Sequence, residues 1–386
     1  MKFIHLSDLH IGKQLHHYSL IEDQAHILSE VTGRVKELAP DAVVIAGDIY
    51  DKSVPSAEAV SMFDEFLTAL AEIRPAVKVL IISGNHDSAQ RLDYAGRILR
   101  RQNIYIAGSV PSGKDEYLKK VTLSDEFGEV DFYLLPFLKP GYVRGVFADE
   151  EDVPETYSDA VRRILGREEI DTEKRNVLIS HQFYTGNGNA PDTCDSEMFS
   201  VGGIDNVDIS PLLPFEYVAL GHLHGAQQVQ VPSVRYCGTL LKYSVSEAAH
   251  MKSLHVVKLG AKGVAPEVEQ IPLHPLRDVR RVRGELKEIV EHASPDNRDD
   301  YISVTLTDET DPYRPKEQLE KVYSHILEIR IDNTRTRKRL EDFHDEAVIA
   351  DPLTIFSDFY QEIQGRALSE EERGYLESVL EKVKGE

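Results

Sequence analysis

Five short apolar runs, at residues 2–6, 41–46, 77–82, 176–179 and 217–220, each stop in a polar turn that carries Asp, Asn or His. Runs this short and this continuously apolar fit buried strands, the state of a strand in a sheet covered by helices. Amphipathic stretches separate the first three. Residues 21–38 place Ile21, Ile27, Leu28, Val31, Val35 and Leu38 near helical spacing. A stretch opened by Ser56 does the same with Ala59, Val60, Phe63, Phe66, Leu67 and Leu70. Strand, helix, strand, helix, strand at this spacing predicts βαβ units, hence an α/β fold. In open α/β sheets ligands bind outside the carboxyl ends of the strands, which is where the polar turns fall.

Those turns hold a consistent set of donors. Asp8 with His10, Asp48, Asn85 with His86, His181, and His222 with His224 follow the five runs in order. His222 and His224 stand two residues apart at a strand end, so both rings project to one side. Asp8, His10, Asp48, Asn85, His181, His222 and His224 together suit two divalent ions better than one. A carboxylate can bridge two ions and an imidazole cannot easily do so, which makes Asp48 the expected bridge. Asp8, His10 and His224 are then expected on one ion, and Asn85, His181 and His222 on the other. The positive charge left over by two carboxylates favours a bound hydroxide and a phosphate oxygen, as two-metal phosphoryl-transfer centres require. Carboxylate, amide oxygen and imidazole without a thiolate are compatible with manganese, iron or zinc.

The chain is longer, at 386 residues, than one hydrophobic core usually organises, so several domains are expected. Residues 1–270 form the first. Pro272 and Pro275 mark a linker into a small α+β domain, residues 271–332, with strands at 278–283, 301–307 and 327–331 and helices at 285–292 and 316–326. Further elements expected in the first domain are a helix near 92–101, strands at 104–107 and within 117–137, and a helix over 153–165. A basic tether, residues 333–350, precedes two helices in residues 351–386, with Pro352 at a first helical position and a capping box at 369–372. Leu353, Phe356, Phe359, Tyr360 and Ile363 line one broad helical face, and Leu376 and Leu380 begin another. A hairpin this small cannot build its own core, so part of those faces is expected to dock on a partner. Two cysteines, Cys194 and Cys237, give no disulfide framework, and no window reaches the length of a membrane span, so a cytoplasmic location is expected. The formal charge of −22 excludes a free-standing nucleic-acid binder that works through a basic surface.

Asp8-x-His10, Gly47-Asp48-x-x-Asp51, Gly84-Asn85-His86-Asp87, His181 and Gly221-His222-x-His224, in that order, resemble the motifs of calcineurin-type metallophosphoesterases. The resemblance implies a two-sheet β-sandwich flanked by helices, with a small α+β capping domain and a C-terminal helical hairpin. Residues 20–24, 217–224 and 236–247 are similar to a branch of bacterial exonuclease subunits. One departure is Cys237-Gly238-Thr239, where that branch more usually has a Ser-Gly-Ser type of stretch. This likeness implies a nuclease that cuts duplex DNA from its ends and single strands internally, with two divalent ions, most simply Mn2+ (Fe2+, Zn2+ or Mg2+ also fit). It further implies a homodimer assembled with an SMC-like ATPase in DNA repair and hairpin processing. His86 is expected to face the scissile phosphate, with Asp51 accepting its other N–H. Lys13, His17, Tyr18, Lys52, Arg91, Tyr184 and Asn187 are the expected DNA contacts. Met62, Phe63, Phe66, Tyr94, Ile98 and Leu99 are expected at the dimer contact. The alternative is a stand-alone phosphatase or small-molecule phosphodiesterase. Against it, Lys52 stands where phosphoprotein phosphatases of this superfamily place an arginine.

Overall fold

The computed structural model describes residues 1–150, 152–186, 191–197, 205–337, 352–364 and 366–384. These fall into two compact units. One comprises Met1–Val282, Ala293–Val304 and Glu320–Glu328, and the other Arg283–His292, Thr305–Leu319 and Ile329–Glu386.

The first unit is built on two six-stranded sheets. Lys2–Leu6 (β1), Ala42–Ala46 (β2), Lys78–Ile82 (β3) and Ile104–Ala107 (β4) run parallel in that order. The second sheet takes Lys119–Asp125 (β5), Gly128–Leu135 (β6), Arg175–His181 (β7), Tyr217–Gly221 (β8), Gln227–Val229 (β9) and Val231–Tyr236 (β10), in the order β9-β10-β8-β7-β6-β5. Ser253–Lys258 (β11) and Glu267–Pro272 (β12) return to the first sheet, β11 pairing antiparallel with β1 and β12 with β11. Its order is therefore β12-β11-β1-β2-β3-β4.

Alternation along the strands makes a layered sandwich. Phe3, Val44, Leu80 and Ile82 share one apolar cluster with Phe132, Val177, Ile179 and Tyr217, so the inner faces of the two sheets pack on each other. Ile4, Val43, Ile45, Val79 and Ile81 point the other way, onto helices Ile21–Leu38 (α1) and Ala57–Ala71 (α2). Leu178, Val218 and Leu220 face the helix Tyr157–Arg167 (α3) through Val161 and Ile164. Every side chain on β2 is buried because both its faces are covered, which is why its sequence reads as an unbroken apolar run. Ser56 caps α2 by accepting the Ala59 N–H at 3.2 Å, and Thr156 caps α3 by accepting that of Asp159 at 3.1 Å.

Three expectations need correction. The helix expected near 92–101 is two short turns, Ala89–Leu92 and Gly96–Leu99, split where Ala95 adopts a left-handed φ of 60°. Residues around Pro272 do not form a linker; they close the first sheet as β12, whose proline sits at its last position where a missing N–H costs least. The helix expected over 316–326 is only Pro315–Leu319, since His325 and Ile326 are taken into the strand His325–Ile331. That strand forms a sheet with Val279–Gly284 and Tyr301–Leu306, the latter in the centre.

The helices Pro352–Gln364 (α4) and Glu370–Lys384 (α5) are present. The capping box forms, with the Ser369 N–H donated to Glu372 Oε2 at 2.8 Å and the Glu372 N–H to Ser369 Oγ at 3.3 Å. Tyr360 donates to Glu372 Oε1 at 2.8 Å, tying α4 to α5. Among the described residues no helix is long and apolar enough to cross a membrane.

Candidate metal centre

The carboxyl ends of β1, β2, β3, β7 and β8 converge, and the backbone is bent to make them do so. Asp8, His10, Asp48 and His222 all have positive φ, at 53°, 44°, 49° and 105°. Non-glycine residues seldom accept this conformation, and it persists only where surrounding contacts over-determine it. Those contacts are visible. The N–H groups of Asp8, His10 and Ile11 donate to the carbonyls of Gly47, Asp48 and Ile49 at 3.0, 2.9 and 2.9 Å, so the turns after β1 and β2 are zipped together. Gln24 of α1 holds the first turn by donating to the His10 carbonyl at 2.8 Å and accepting the Gly12 N–H at 2.9 Å. Gly84 is required by proximity, since a Cβ there would lie 2.1 Å from Asp48 Oδ1.

All seven donors named from the sequence come together. His10 Nε2 lies 3.2 Å from His224 Nε2. Asn85 Oδ1 lies 3.1 Å from His181 Nε2 and 2.9 Å from His222 Nδ1. Asp48 stands between the two sets, with Oδ2 3.7 Å from His10 Nε2 and 3.3 Å from His181 Nε2. Its other oxygen accepts the His86 N–H at 2.8 Å. Asp8 is fixed by the His222 N–H at 3.0 and 3.1 Å from its two oxygens. Asp8, His10 and His224 offer ligand atoms within 4.8 Å of one another, as do Asp8, Asp48 and His181.

The donor chemistry fits cations. His181 Nδ1–H donates to the Ala46 carbonyl at 2.7 Å, so in the neutral ring Nε2 carries the lone pair. That lone pair faces two oxygens, from Asn85 and Asp48, and is favourable there only with positive charge between them. The polypeptide supplies some of it: burial alone would lower the His181 pKa, but Asp48 and Asp8 outweigh it and raise the pKa to about 9. Burial, with His181 beside it, pushes His222 down to about 3. Burial raises Asp8 to about 6, whereas for Asp48 the neighbouring His181 and His10 overcome burial and hold the carboxyl well below its ordinary range.

Several positioning residues are invisible as such in the sequence. His224 Nδ1–H donates to Ser196 Oγ at 2.7 Å, and Ser196 donates on to Glu247 Oε1 at 2.6 Å, which leaves His224 Nε2 free to ligate. Glu247 is fully buried; Lys252 Nζ donates to it at 2.6 Å and to the His224 carbonyl at 2.9 Å. Asp87 accepts the N–H groups of Gly84, Tyr50 and Ile49 at 2.9, 3.0 and 3.1 Å, joining the turns after β2 and β3. Burial, reinforced by Asp48, raises Asp87 to about 6. The only sequence signal for Glu247 is its place in the stretch 236–247, and for Asp87 its place after Asn85-His86.

The expected catalytic pair is adjacent, with one correction. His86 Nδ1–H donates to the Asp51 backbone carbonyl at 2.8 Å rather than to its carboxylate. The Asp51 carboxylate instead pairs with Lys13 Nζ at 2.8 Å. The His86 ring packs edge-on against His10, with centroids 4.8 Å apart. Of the expected DNA contacts, His17, Lys52 and Arg91 are exposed. Tyr18 packs on Tyr301 and His325. Tyr184 is corrected: it is fully buried, its hydroxyl 2.7 Å from Ser180 Oγ and its N–H donated to Tyr236 at 2.7 Å, because the chain turning after His181 carries it into the core. Asn187 lies outside the described residues.

The model of the calcineurin-like phosphoesterase family matches residues 1–225, and that of a type 5 capsule protein repressor C-terminal domain matches residues 275–364. The chain is 31% identical over 385 residues to the SbcD subunit of the nuclease SbcCD of Staphylococcus epidermidis, covering 98% of both chains. The chain belongs to the calcineurin-like phosphoesterases, in the family of the SbcD nuclease subunit. Two solved chains resemble it more distantly. A dimetal phosphatase from Danio rerio is 17% identical, over 70% of this chain and 98% of that one, with a TM-score of 0.37. GAP50, the anchor in the inner membrane complex of Plasmodium, is 12% identical, over 71% and 89%, with a TM-score of 0.38. Divalent-metal phosphoester chemistry comes with the phosphoesterase family.

Removing the carboxylate charge behind His224 should loosen one side of the phosphoesterase centre. Glu247→Gln is expected to weaken divalent-metal binding through His224 about 10- to 100-fold, the usual cost of losing a partner that orients a ligating histidine. Calorimetric titration checks this, and wild-type affinity would contradict it.

Proposed function

We propose that this chain is the nuclease subunit of an assembly with an SMC-like ATPase of the SbcC type, and that it hydrolyses phosphodiester bonds at duplex DNA ends and within single strands. The observation that carries the reading is the convergence of six further oxygen and nitrogen donors around the Asp48 carboxylate, with His86 beside them. Asp8, His10 and His224 would hold one divalent ion and Asn85, His181 and His222 the other, with Asp48 placed to serve both sets. When bound, the ions supply a hydroxide at neutral pH and charge for the phosphate oxygens. Manganese suits this ligand mixture best. His86, its tautomer set by the Asp51 carbonyl, presents Nε2 to protonate or stabilise the leaving oxygen. Residues 271–332 act as a DNA-capping domain and residues 333–350 as a tether. Lys13, His17, Tyr18, Lys52 and Arg91 stay proposed DNA contacts. Lys13 does so through its place beside Asp51.

His86→Ala is expected to keep both metals and DNA binding but to lose about 10²–10⁴ in the rate of linear duplex digestion with manganese, the worth of a positioned proton donor. Unchanged turnover contradicts the role. Faster hydrolysis of a generic phosphomonoester than of DNA by the wild-type chain would favour the stand-alone phosphatase instead.

The −22 charge is consistent with a partner that supplies much of the attraction to the phosphate backbone. Docking is assigned to α4 and α5. Phe356 is 43% and Phe359 59% exposed, and Leu353, Tyr360 and Leu376 are half-buried, which supports an unfilled apolar face. The side chains of Ile363 and Leu380 lie outside the described residues. A homodimer contact is assigned to the surface of residues 89–102, where Tyr94 is 82% and Ile98 69% exposed; Phe63 and Phe66 of the expected set are buried in the unit's own core, with Met62 and Leu99 packed against it. Removing residues 351–386 should abolish co-purification with the ATPase while the truncated chain sediments as a dimer. Retained ATPase binding, or a monomer at micromolar concentration, contradicts the corresponding assignment.

A further inference from the structure

Beside the metal centre opens a cleft that none of the proposed roles uses. It has a cavity volume of about 480 Å³, within the range of about 300–1,000 Å³ that small-molecule sites occupy. One wall is Asn85, whose side-chain oxygen faces His181 and His222. The rest includes Ser53, Ser88, Gln90, Ser109, Phe137 and Tyr142, backbone of the turns after β3 and β4, and Asp87, whose carboxylate is taken up by three N–H groups.

The lining discriminates between ligand chemistries. No lysine or arginine among the described residues lines the cleft, so it is not built for a phosphate. It offers two aromatic rings and a set of neutral hydrogen-bonding groups. The side chains of Ser53, Ser88, Gln90 and Ser109 have no hydrogen-bond partner within the described protein, so each can both donate and accept. Phe137 is held in place, its N–H donated to the Ser83 carbonyl at 3.0 Å and its ring edge-on to His181 at a centroid distance of 6.4 Å. Tyr142 projects from the short helix Pro140–Val143 and is 53% exposed. A flat, uncharged heteroaromatic group with donors and acceptors on its edge is the ligand that uses all of these features. Resting on the nuclease reading above, we infer that this cleft receives the base of one nucleotide flanking the scissile phosphate. Tyr142 and Phe137 stack on the base, and the serines and Gln90 meet its edge. Hydroxyls and a rotatable amide adapt to any base, so the subsite positions the strand without selecting sequence, as stacking platforms for single strands do.

The test uses the full chain with manganese and short single-stranded oligonucleotides in which an abasic residue is scanned across one scissile bond. For the wild-type protein, one position is expected to lose about tenfold or more in kcat/KM when its base is absent, the worth of one stacked base. In Tyr142→Ala the intact substrate is expected to lose a similar factor, mostly in KM, and the abasic penalty at that position to disappear. Ser109→Trp, which fills the cleft from its rim, should give the same pattern; both residues are exposed, so folding is not at stake. An abasic profile identical in wild type and both variants would overturn the subsite while leaving the nuclease reading intact. A wild-type chain that hydrolyses bis(para-nitrophenyl) phosphate but cuts no oligonucleotide would remove the nuclease reading and this inference with it.

Discussion

Asp48 is where the demands on this molecule meet. One of its oxygens fixes the backbone of His86, and the other lies within 4 Å of imidazoles delivered by two different sheets, His10 from the first and His181 from the second. An anion buried this deeply is costly unless positive or hydrogen-bonding groups surround it. The fold answers by bringing five strand ends to one place. The sandwich is therefore more than a support: only the packing of the two inner faces puts β7 and β8 of one sheet opposite β1, β2 and β3 of the other.

Precision at that place is obtained by strain held in check. Four of the site residues adopt left-handed backbone conformations, each costing on the order of 1–3 kcal/mol; Asp8, His10 and Asp48 are locked by main-chain hydrogen bonds between two turns, and His222 by its N–H on the Asp8 carboxylate. Gly84 lets the third turn come into contact with Asp48, and Asp87 gathers three N–H groups from two turns onto one carboxylate. On the far side Glu247, Ser196 and Lys252 do the equivalent for His224. The centre is thus arranged in advance for the charges it would hold, so that little reorganisation accompanies reaction.

Much of this was legible before any coordinates. Strands buried on both faces announce themselves as unbroken apolar runs, so β1, β2, β3, β7 and β8, and the donors that follow them, could be read directly. α1 was legible to the residue because its apolar spacing and its ends agree. What escaped has physical reasons. The break at Ala95 follows from a left-handed alanine, with the glycine one position later at Gly96, and β12 was hidden by a proline that only an edge strand tolerates. Glu247 and Asp87 act across long separations in sequence, which periodicity cannot reveal. Tyr184 follows a site histidine closely in sequence yet points into the core, because the chain turns after β7.

The central claim is that Asp48 joins two ions into one centre, and metal counting combined with electron paramagnetic resonance addresses it most directly. Full-length protein saturated with manganese and freed of excess metal is predicted to hold two ions per chain with the exchange-coupled spectrum of a bridged pair. Asp48→Asn should lower the content and abolish the coupling. One tightly bound ion per chain in the wild-type protein, or two ions with uncoupled spectra, would contradict the account.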